Sequence, residues 1–173
     1  MWEDHGVLHT EADPDDYGCT IGEPTEPIWQ QVGGGRLQIG GTLTVADAPT
    51  QWQNPTRTVD WKWNATGART NDGFKTDQYI TYQLGSAPVS WRYVIHSQSE
   101  DNQTTSPKLV WIQKGDSVSG PWTTVKTMTI NNQNTWHVFD CGAQSSKYMR
   151  FMVKTNWGGN YVSMDEIAVG NLV

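Results

Sequence analysis

The sequence predicts an all-β fold, an antiparallel β-sandwich or barrel, on the strength of three observations. Apolar and polar residues alternate over 78–84 and again over 89–96, which is the pattern of strands that bury one face. Seventeen glycines and eight prolines, with many Thr, Asn and Gln residues, favour short strands joined by tight turns. No window keeps a helical period for three turns, so helices are not expected.

The predicted elements begin after an acidic segment. Residues 1–28 contain eight acidic side chains and no Lys or Arg, and three prolines interrupt any regular structure there. A long polar loop region is predicted over 47–70. Strands are predicted at 36–41, 42–46, 78–84, 89–96, 107–113, 123–130, 135–140, 147–154 and 161–169. We therefore divide the chain into an irregular N-terminal arm, 1–35, and a sandwich domain, 36–173.

The charge distribution excludes some classes of function. The net charge of −6 comes from the arm, because the rest of the chain has 12 basic and 10 acidic residues. Without a basic stripe, nucleic-acid binding is not expected. No apolar stretch approaches the length of a membrane span. The acidic start at Met1 does not fit a secretion signal, which suggests a mature fragment or another route to its location.

Two cysteines, Cys19 and Cys141, have no metal-binding spacing. A disulfide that ties the arm to the domain is one alternative, and it requires an oxidising compartment. Two separate buried thiols are the other alternative.

Four stretches follow one another in a characteristic order. Residues 68–85 carry an Asp-Gly loop, a threonine and a strand closed by Leu-Gly, and 106–125 carry a strand and a Trp-Thr hairpin. Residues 143–159 carry a Lys-Tyr-Met-Arg strand with its following loop, and 160–170 carry a closing strand with Glu-Ile. Together they resemble the discoidin domain, the type C domain of coagulation factors five and eight. The resemblance implies a jelly-roll sandwich of the galactose-binding-like fold, which many bacterial carbohydrate-binding modules share.

Calcium is the cofactor that this resemblance implies, as an ion that shapes a loop. The matching ligands are Asp72, Thr76 and Glu166, with backbone carbonyls of 68–75 and 165. Oxygen ligands suit this hard cation. The spacing from Asp72 to Thr76 is one residue shorter than in many members of the family. The alternative is an ordinary Asx turn at Asp72 and a solvated or Arg-paired Glu166.

The resemblance also implies that loops at one end of the sandwich bind the ligand. Carbohydrate-binding members use an aromatic residue of the late loop, with His, Arg and Asn side chains of other loops. The matching candidates are Trp52, Arg69, His96, Asn156 and Trp157. A sugar site needs a ring for stacking and a few fixed donors and acceptors, which these residues offer. The alternative is that they shape the loops or the core, with His96 ending a strand.

Nothing in the sequence indicates catalysis. There is no G-x-S-x-G or H-E-x-x-H motif, and Asp165 and Glu166, adjacent on a predicted strand, would face opposite sides. We expect a non-catalytic module for carbohydrate binding or cell-surface adhesion, located extracellularly or on a particle surface. The alternative is a decoration or fibre protein of a virus particle or surface filament, with residues 1–35 docked on a neighbouring protein. Ten tryptophans and the acidic arm support that alternative.

Overall fold

The computed structural model describes residues 29–32, 35–38, 43–59, 67–97, 103–132 and 136–172. These residues form thirteen strands and two 3₁₀ helices, Pro55–Val59 and Gln103–Thr105, and include no α-helix, so the all-β prediction is confirmed. The strands are β1 (Trp29–Val32), β2 (Gly35–Gln38), β3 (Thr44–Asp47), β4 (Trp52–Gln53), β5 (Ala68–Thr70), β6 (Gln78–Gln83), β7 (Val89–Ser97), β8 (Pro107–Gly115), β9 (Thr123–Thr129), β10 (Trp136–Ser146), β11 (Tyr148–Asn156), β12 (Ser163–Met164) and β13 (Ile167–Leu172).

The strands form two large sheets and one small sheet. One five-stranded sheet has the order β1-β2-β13-β7-β10, and the other has the order β3-β6-β11-β8-β9. The small sheet has the order β12-β5-β4. Every strand pairing in the described part of the chain is antiparallel. The predicted antiparallel β-sandwich is therefore confirmed.

Apolar side chains of the two large sheets form the core. Alternation along β11 buries Met149, Phe151 and Val153, each 0% exposed, and places the intervening residues on the opposite face. The other large sheet contributes Trp91, Val94, Phe139, Ile167 and Val169. The indole Nε1 of Trp91 donates a hydrogen bond of 3.0 Å to the Ser146 hydroxyl, which satisfies this buried donor.

His96 is a buried titratable residue of this core. It lies on β7 at 0% exposure, and its ring centroid is 5.1 Å from that of Phe151 and 6.3 Å from that of His137. Burial, and to a smaller extent the charge of His137, lower the pKa of His96 to about 3, although the Glu166 backbone opposes the change. The imidazole is therefore neutral at neutral pH.

The closing strand differs from its prediction. The predicted strand 161–169 is two strands, β12 and β13, with Asp165 and Glu166 between them at 1% and 2% exposure. The expectation that these two acids face opposite sides of one strand is wrong. The break arises because β12 pairs with β5 in the small sheet, whereas β13 pairs with β7 in a large one.

The predicted arm lies largely outside the described residues. Residues 29–32 of the predicted irregular arm are instead a strand, β1, which pairs with β2 at the start of the predicted domain, and β2 pairs with β13. The boundary at residue 35 and a disulfide with Cys19 stay predictions. Cys141 lies on β10 at 6% exposure, and burial raises the pKa of its thiol to about 12. Within the described ranges, no helix is long and apolar enough to span a membrane.

A sandwiched arginine lies on the outer face of the second large sheet. The guanidinium carbon of Arg150 is 3.9 Å from the ring centroid of Tyr79 and 4.0 Å from that of Trp122. Its Nε donates to the Thr81 hydroxyl at 3.0 Å, and Asp47 lies 3.9 Å from an Nη atom. The side chain is only 12% exposed, so these interactions are weakly screened by solvent.

We predict that Arg150→Met lowers the free energy of unfolding by about 1–3 kcal/mol, because two cation–π contacts to a poorly solvated guanidinium are lost. Arg92→Met is the matched control. Arg92 forms a bidentate pair with Asp140, but their side chains are 50% and 46% exposed, so its loss costs less than about 1 kcal/mol. Urea unfolding of the three proteins measures both changes. Equal losses would contradict the role given to the two rings.

We predict that the folded state loses stability as the pH falls below about 6.5. In that range His96 binds a proton in the unfolded chain, whereas in the folded protein it stays neutral down to about pH 3. The slope reaches at most about 1.4 kcal/mol per pH unit. His96→Gln, a neutral residue of similar size, should show a smaller slope between about pH 4 and 7. Asp140, whose pKa is lowered to about 2 from 3.8, contributes mainly below about pH 4. Equal slopes would refute the assignment to His96.

Candidate functional site

Two loops meet at one end of the small sheet and form a candidate site. Loop 71–77 follows β5, and loop 157–162 joins β11 to β12. The backbone N–H of Gly73 donates to the Asn160 carbonyl at 2.7 Å, and the N–H of Thr70 donates to the Val162 carbonyl at 2.9 Å. The two loops therefore share backbone hydrogen bonds and hold a defined relative position.

Arg69 is an exposed cation at this end. On β5 it lies between buried Ala68 and buried Thr70, so strand alternation turns it to the outside. Its guanidinium carbon is 5.1 Å from the ring centroid of Tyr161, and its Nε donates to Gln53 Oε1 at 3.3 Å. In the described part of the chain this is its one hydrogen bond, which leaves the Nη atoms for a ligand. Arg69 is therefore exposed at this end of the sheet, and its role in ligand binding stays a prediction.

Polar amides surround Arg69. Gln53, its cross-strand neighbour on β4, donates from Nε2 to Asn71 Oδ1 at 2.5 Å. Both amide side chains are exposed. Phe74, in the same loop as Asn71, is 45% exposed. The end of the sheet thus presents planar donors and acceptors beside two aromatic rings.

The late loop places Trp157 and Asn156 in different roles. Trp157 is half-buried, and Lys108 Nζ lies 4.6 Å from its ring centroid. Asn156 Nδ2 donates to the carbonyls of Gly159 at 3.0 Å and Tyr161 at 2.6 Å, and its Oδ1 accepts from the Gly158 N–H at 3.0 Å. Asn156 therefore shapes the loop, while Trp157 supplies a ring on its edge.

Two of the predicted ligand-binding residues are in the core. Trp52 is 6% exposed and His96 is 0% exposed. A ligand arriving from solvent cannot stack on Trp52 or bond to His96 without displacing core packing. This corrects the expectation that both present their rings at the surface, and we leave them out of the proposed site.

The three predicted calcium ligands lie in two different settings. Asp72 and Thr76 are exposed in loop 71–77, whereas Glu166 is 2% exposed between β12 and β13. Carboxylate and hydroxyl oxygens suit calcium chemically, but this ion needs six to eight oxygens directed at one point. The set combines two exposed side chains with one buried carboxylate, and the loop carbonyls of Phe74 and Thr76 already accept hydrogen bonds from Thr70 and Gln78, so the residues as placed match a calcium site poorly.

Four residues of the candidate site were missed by the sequence analysis: Gln53, Asn71, Phe74 and Tyr161. Each is a common residue type in a short strand or loop, where no periodic pattern marks it. The available signal was the cross-strand position of Gln53 opposite Arg69, which requires knowing the register of β4 and β5. Within the described ranges, no group of three or more His, Cys, Asp and Glu residues could hold a metal ion.

Comparison with known proteins gives matches only at the level of structure. No protein-family model matches the chain, and a search of curated proteins gives no match. The chain is similar to a family 32 carbohydrate-binding module from Clostridium perfringens in complex with GalNAc-β-1,3-galactose, with TM-score 0.63 and 12% identity over 75% of this chain and 94% of that one. It is also similar to the family 32 module of C. perfringens NanJ in complex with galactose, with TM-score 0.61 and 14% identity over 75% and 93%.

A third similar structure comes from another organism. It is chitosan-binding module 2 of a chitosanase/glucanase from Paenibacillus sp. IK-5, in complex with chitotriose, with TM-score 0.55 and 22% identity over 75% of this chain and 95% of that one. In each case nearly the whole of the matched module is covered. These similarities show that the chain has the galactose-binding-like sandwich fold that its sequence motifs predicted.

Proposed function

We propose that this chain is a non-catalytic carbohydrate-binding module whose site is the loop end around Arg69. The observation that carries the proposal is the exposed Arg69 guanidinium, held over the Tyr161 ring and by the Gln53 amide, with its Nη atoms left for a ligand. The fold is shared with modules that are described in complex with galactose, GalNAc-β-1,3-galactose and chitotriose, which supports the same class of ligand here.

The chemistry of the site suits a sugar. A pyranose has an apolar face of C–H groups that packs on an aromatic ring, and a rim of hydroxyls that donate and accept. Tyr161 and Trp157 supply rings, and both are half-buried, so their orientation costs little on binding. Arg69 offers donors only, while the amides of Gln53 and Asn71 offer donors and acceptors. Together these groups match hydroxyls in either role.

The location and partners of the chain follow from this function as further proposals. A module that binds glycans acts where glycans are displayed, so we place it outside a cytosol, in adhesion to a surface. Docking of residues 1–35 on a neighbouring protein of a virus particle or filament concerns residues that are mostly outside the described part of the chain. Deletion of residues 1–28, which keeps β1, separates the two functions, because a glycan-binding domain should keep its affinity whereas a subunit docked through this segment should lose its neighbour.

We predict that Arg69→Met weakens binding to a glycan found on a glycan array at least about 10-fold, which corresponds to about 1.4 kcal/mol. The variant keeps the side-chain stem but loses every donor to the ligand. Arg92→Met, which removes an exposed arginine from β7, is the matched control and should bind as the wild type does. Titration calorimetry gives the affinities, and thermal melting confirms that both variants fold. Unchanged affinity in Arg69→Met would move the site elsewhere.

We predict that Trp157→Ala also lowers glycan affinity without unfolding the domain, because a stacking ring of the late loop is lost while the Asn156 hydrogen bonds that shape the loop remain. The expected loss is about 10-fold or more. Surface binding on the same glycan measures it. An affinity equal to that of the wild type would leave Tyr161 as the stacking ring and remove Trp157 from the site.

A further inference from the structure

We propose that loop 71–77 is held in its binding shape by the side chains of Thr70 and Gln78, and that it needs no calcium ion. The resemblance to the discoidin family implies a cation in this role. The inference deepens the proposed function, because this loop carries Asn71 and Phe74 of the candidate site. Its stability test does not depend on a glycan being found.

Thr70 fixes the first half of the loop. Its side chain is fully buried at 0% exposure, and its hydroxyl donates to the Phe74 carbonyl at 2.6 Å. The same oxygen accepts the Val162 N–H at 2.9 Å. One hydroxyl therefore hydrogen-bonds to a carbonyl of loop 71–77 and to an N–H at the end of loop 157–162. It acts as a donor to the first and as an acceptor from the second.

Gln78 fixes the second half. It is 6% exposed, and its Nε2 donates to the Thr76 carbonyl at 2.7 Å. Its Oε1 accepts from Gln51 Nε2 at 2.7 Å, and the Gln51 carbonyl accepts the Asn71 N–H at 2.8 Å. This chain of hydrogen bonds joins the end of the loop to its beginning through two glutamines.

A calcium ion would shape the loop differently. It would draw loop carbonyls and the side chains of Asp72 and Thr76 to one point, together with Glu166. In this structure the carbonyls of Phe74 and Thr76 accept from protein donors on two different strands, and the side chains of Asp72 and Thr76 are exposed. The neutral Thr70 hydroxyl and Gln78 amide thus donate to the loop carbonyls that a calcium ion would otherwise coordinate.

Glu166 lies outside the loop, in the buried connection between β12 and β13. Its backbone N–H donates to the Ser97 hydroxyl at 2.9 Å, and its carbonyl accepts the Ser97 N–H at 3.0 Å. The main chain at this acid is therefore bound to the end of β7 rather than to loop 71–77.

The first experiment measures the melting temperature of the wild-type protein in excess calcium and in excess chelator. We expect the two values to agree within about 1 °C, whereas an ion bound to the folded state would raise the melting temperature by several degrees. Native mass spectrometry should show no retained calcium. A clear rise in melting temperature with calcium, or a stoichiometric calcium adduct, would overturn the proposal.

The second experiment tests the two residues. Gln78→Met and Thr70→Val should each lower the melting temperature by several degrees and weaken glycan binding, whether or not calcium is present. Gln83→Met is the matched control, since Gln83 is on the same strand and makes one long hydrogen bond of 3.4 Å to the Gly85 carbonyl. Thr70→Ser keeps the hydroxyl and should resemble the wild type. The proposal fails if the melting temperature of Gln78→Met equals that of Gln83→Met. It also fails if the melting temperature of Thr70→Ser equals that of Thr70→Val.

The two proposals fail in distinguishable ways. If the glycan array shows no binding and the melting temperature does not change with calcium, the carbohydrate function is refuted and the calcium-free loop is supported. Strong glycan binding that disappears with chelator would support the function and refute the calcium-free loop.

Discussion

The Thr70 hydroxyl is the constraint on which the geometry of the candidate site depends. It is buried at the end of β5, where it bonds to the Phe74 carbonyl and the Val162 N–H. Replacing it with an apolar group would leave two backbone groups without this partner, each at a cost of about 1–3 kcal/mol where water cannot reach. The positions of both loops are therefore coupled to the core through one side chain.

The small sheet places Arg69 on the surface next to this buried hydroxyl. Side chains alternate along β5, so Ala68 and Thr70 are buried while Arg69, between them, faces the opposite side. Its cross-strand neighbours, Gln53 on β4 and Ser163 on β12, fix its lateral position. Ser163 is itself hydrogen-bonded at 2.6 Å to the Thr105 hydroxyl in the interior. A binding group that stands on a strand loses little freedom when a ligand arrives.

The fold could be predicted from the sequence where strand periodicity was strong. The alternation over 78–84 and 89–96 corresponds to β6 and β7, because one face of each packs on the core. Periodicity could not predict the break at Asp165 and Glu166, since that break depends on which sheet each half joins. Four motifs in order predicted the galactose-binding-like fold, but they say little about which side chains touch a ligand.

The candidate site was harder to predict because burial in loops depends on distant contacts. Trp52 precedes a polar 3₁₀ helix in the sequence, yet its ring is in the core. Asn156 was predicted as a ligand residue, but hydrogen bonds to its own loop occupy its amide. Arg69 was predicted from the family resemblance, and its role stays a prediction, whereas its neighbours Gln53 and Asn71 could be identified only from the register between β4 and β5.

Comparison of two arginines shows why Arg69, rather than Arg150, is the arginine that we propose for ligand binding. Arg150 has rings on both faces of its guanidinium, a hydroxyl acceptor and a nearby carboxylate, and its side chain is 12% exposed. Its interactions are already used for stability. Arg69 has a ring and an amide acceptor as partners in the described structure, and it is exposed. The same contact between arginine and an aromatic ring therefore stabilises the sheet at one site and orients unused donors at the other.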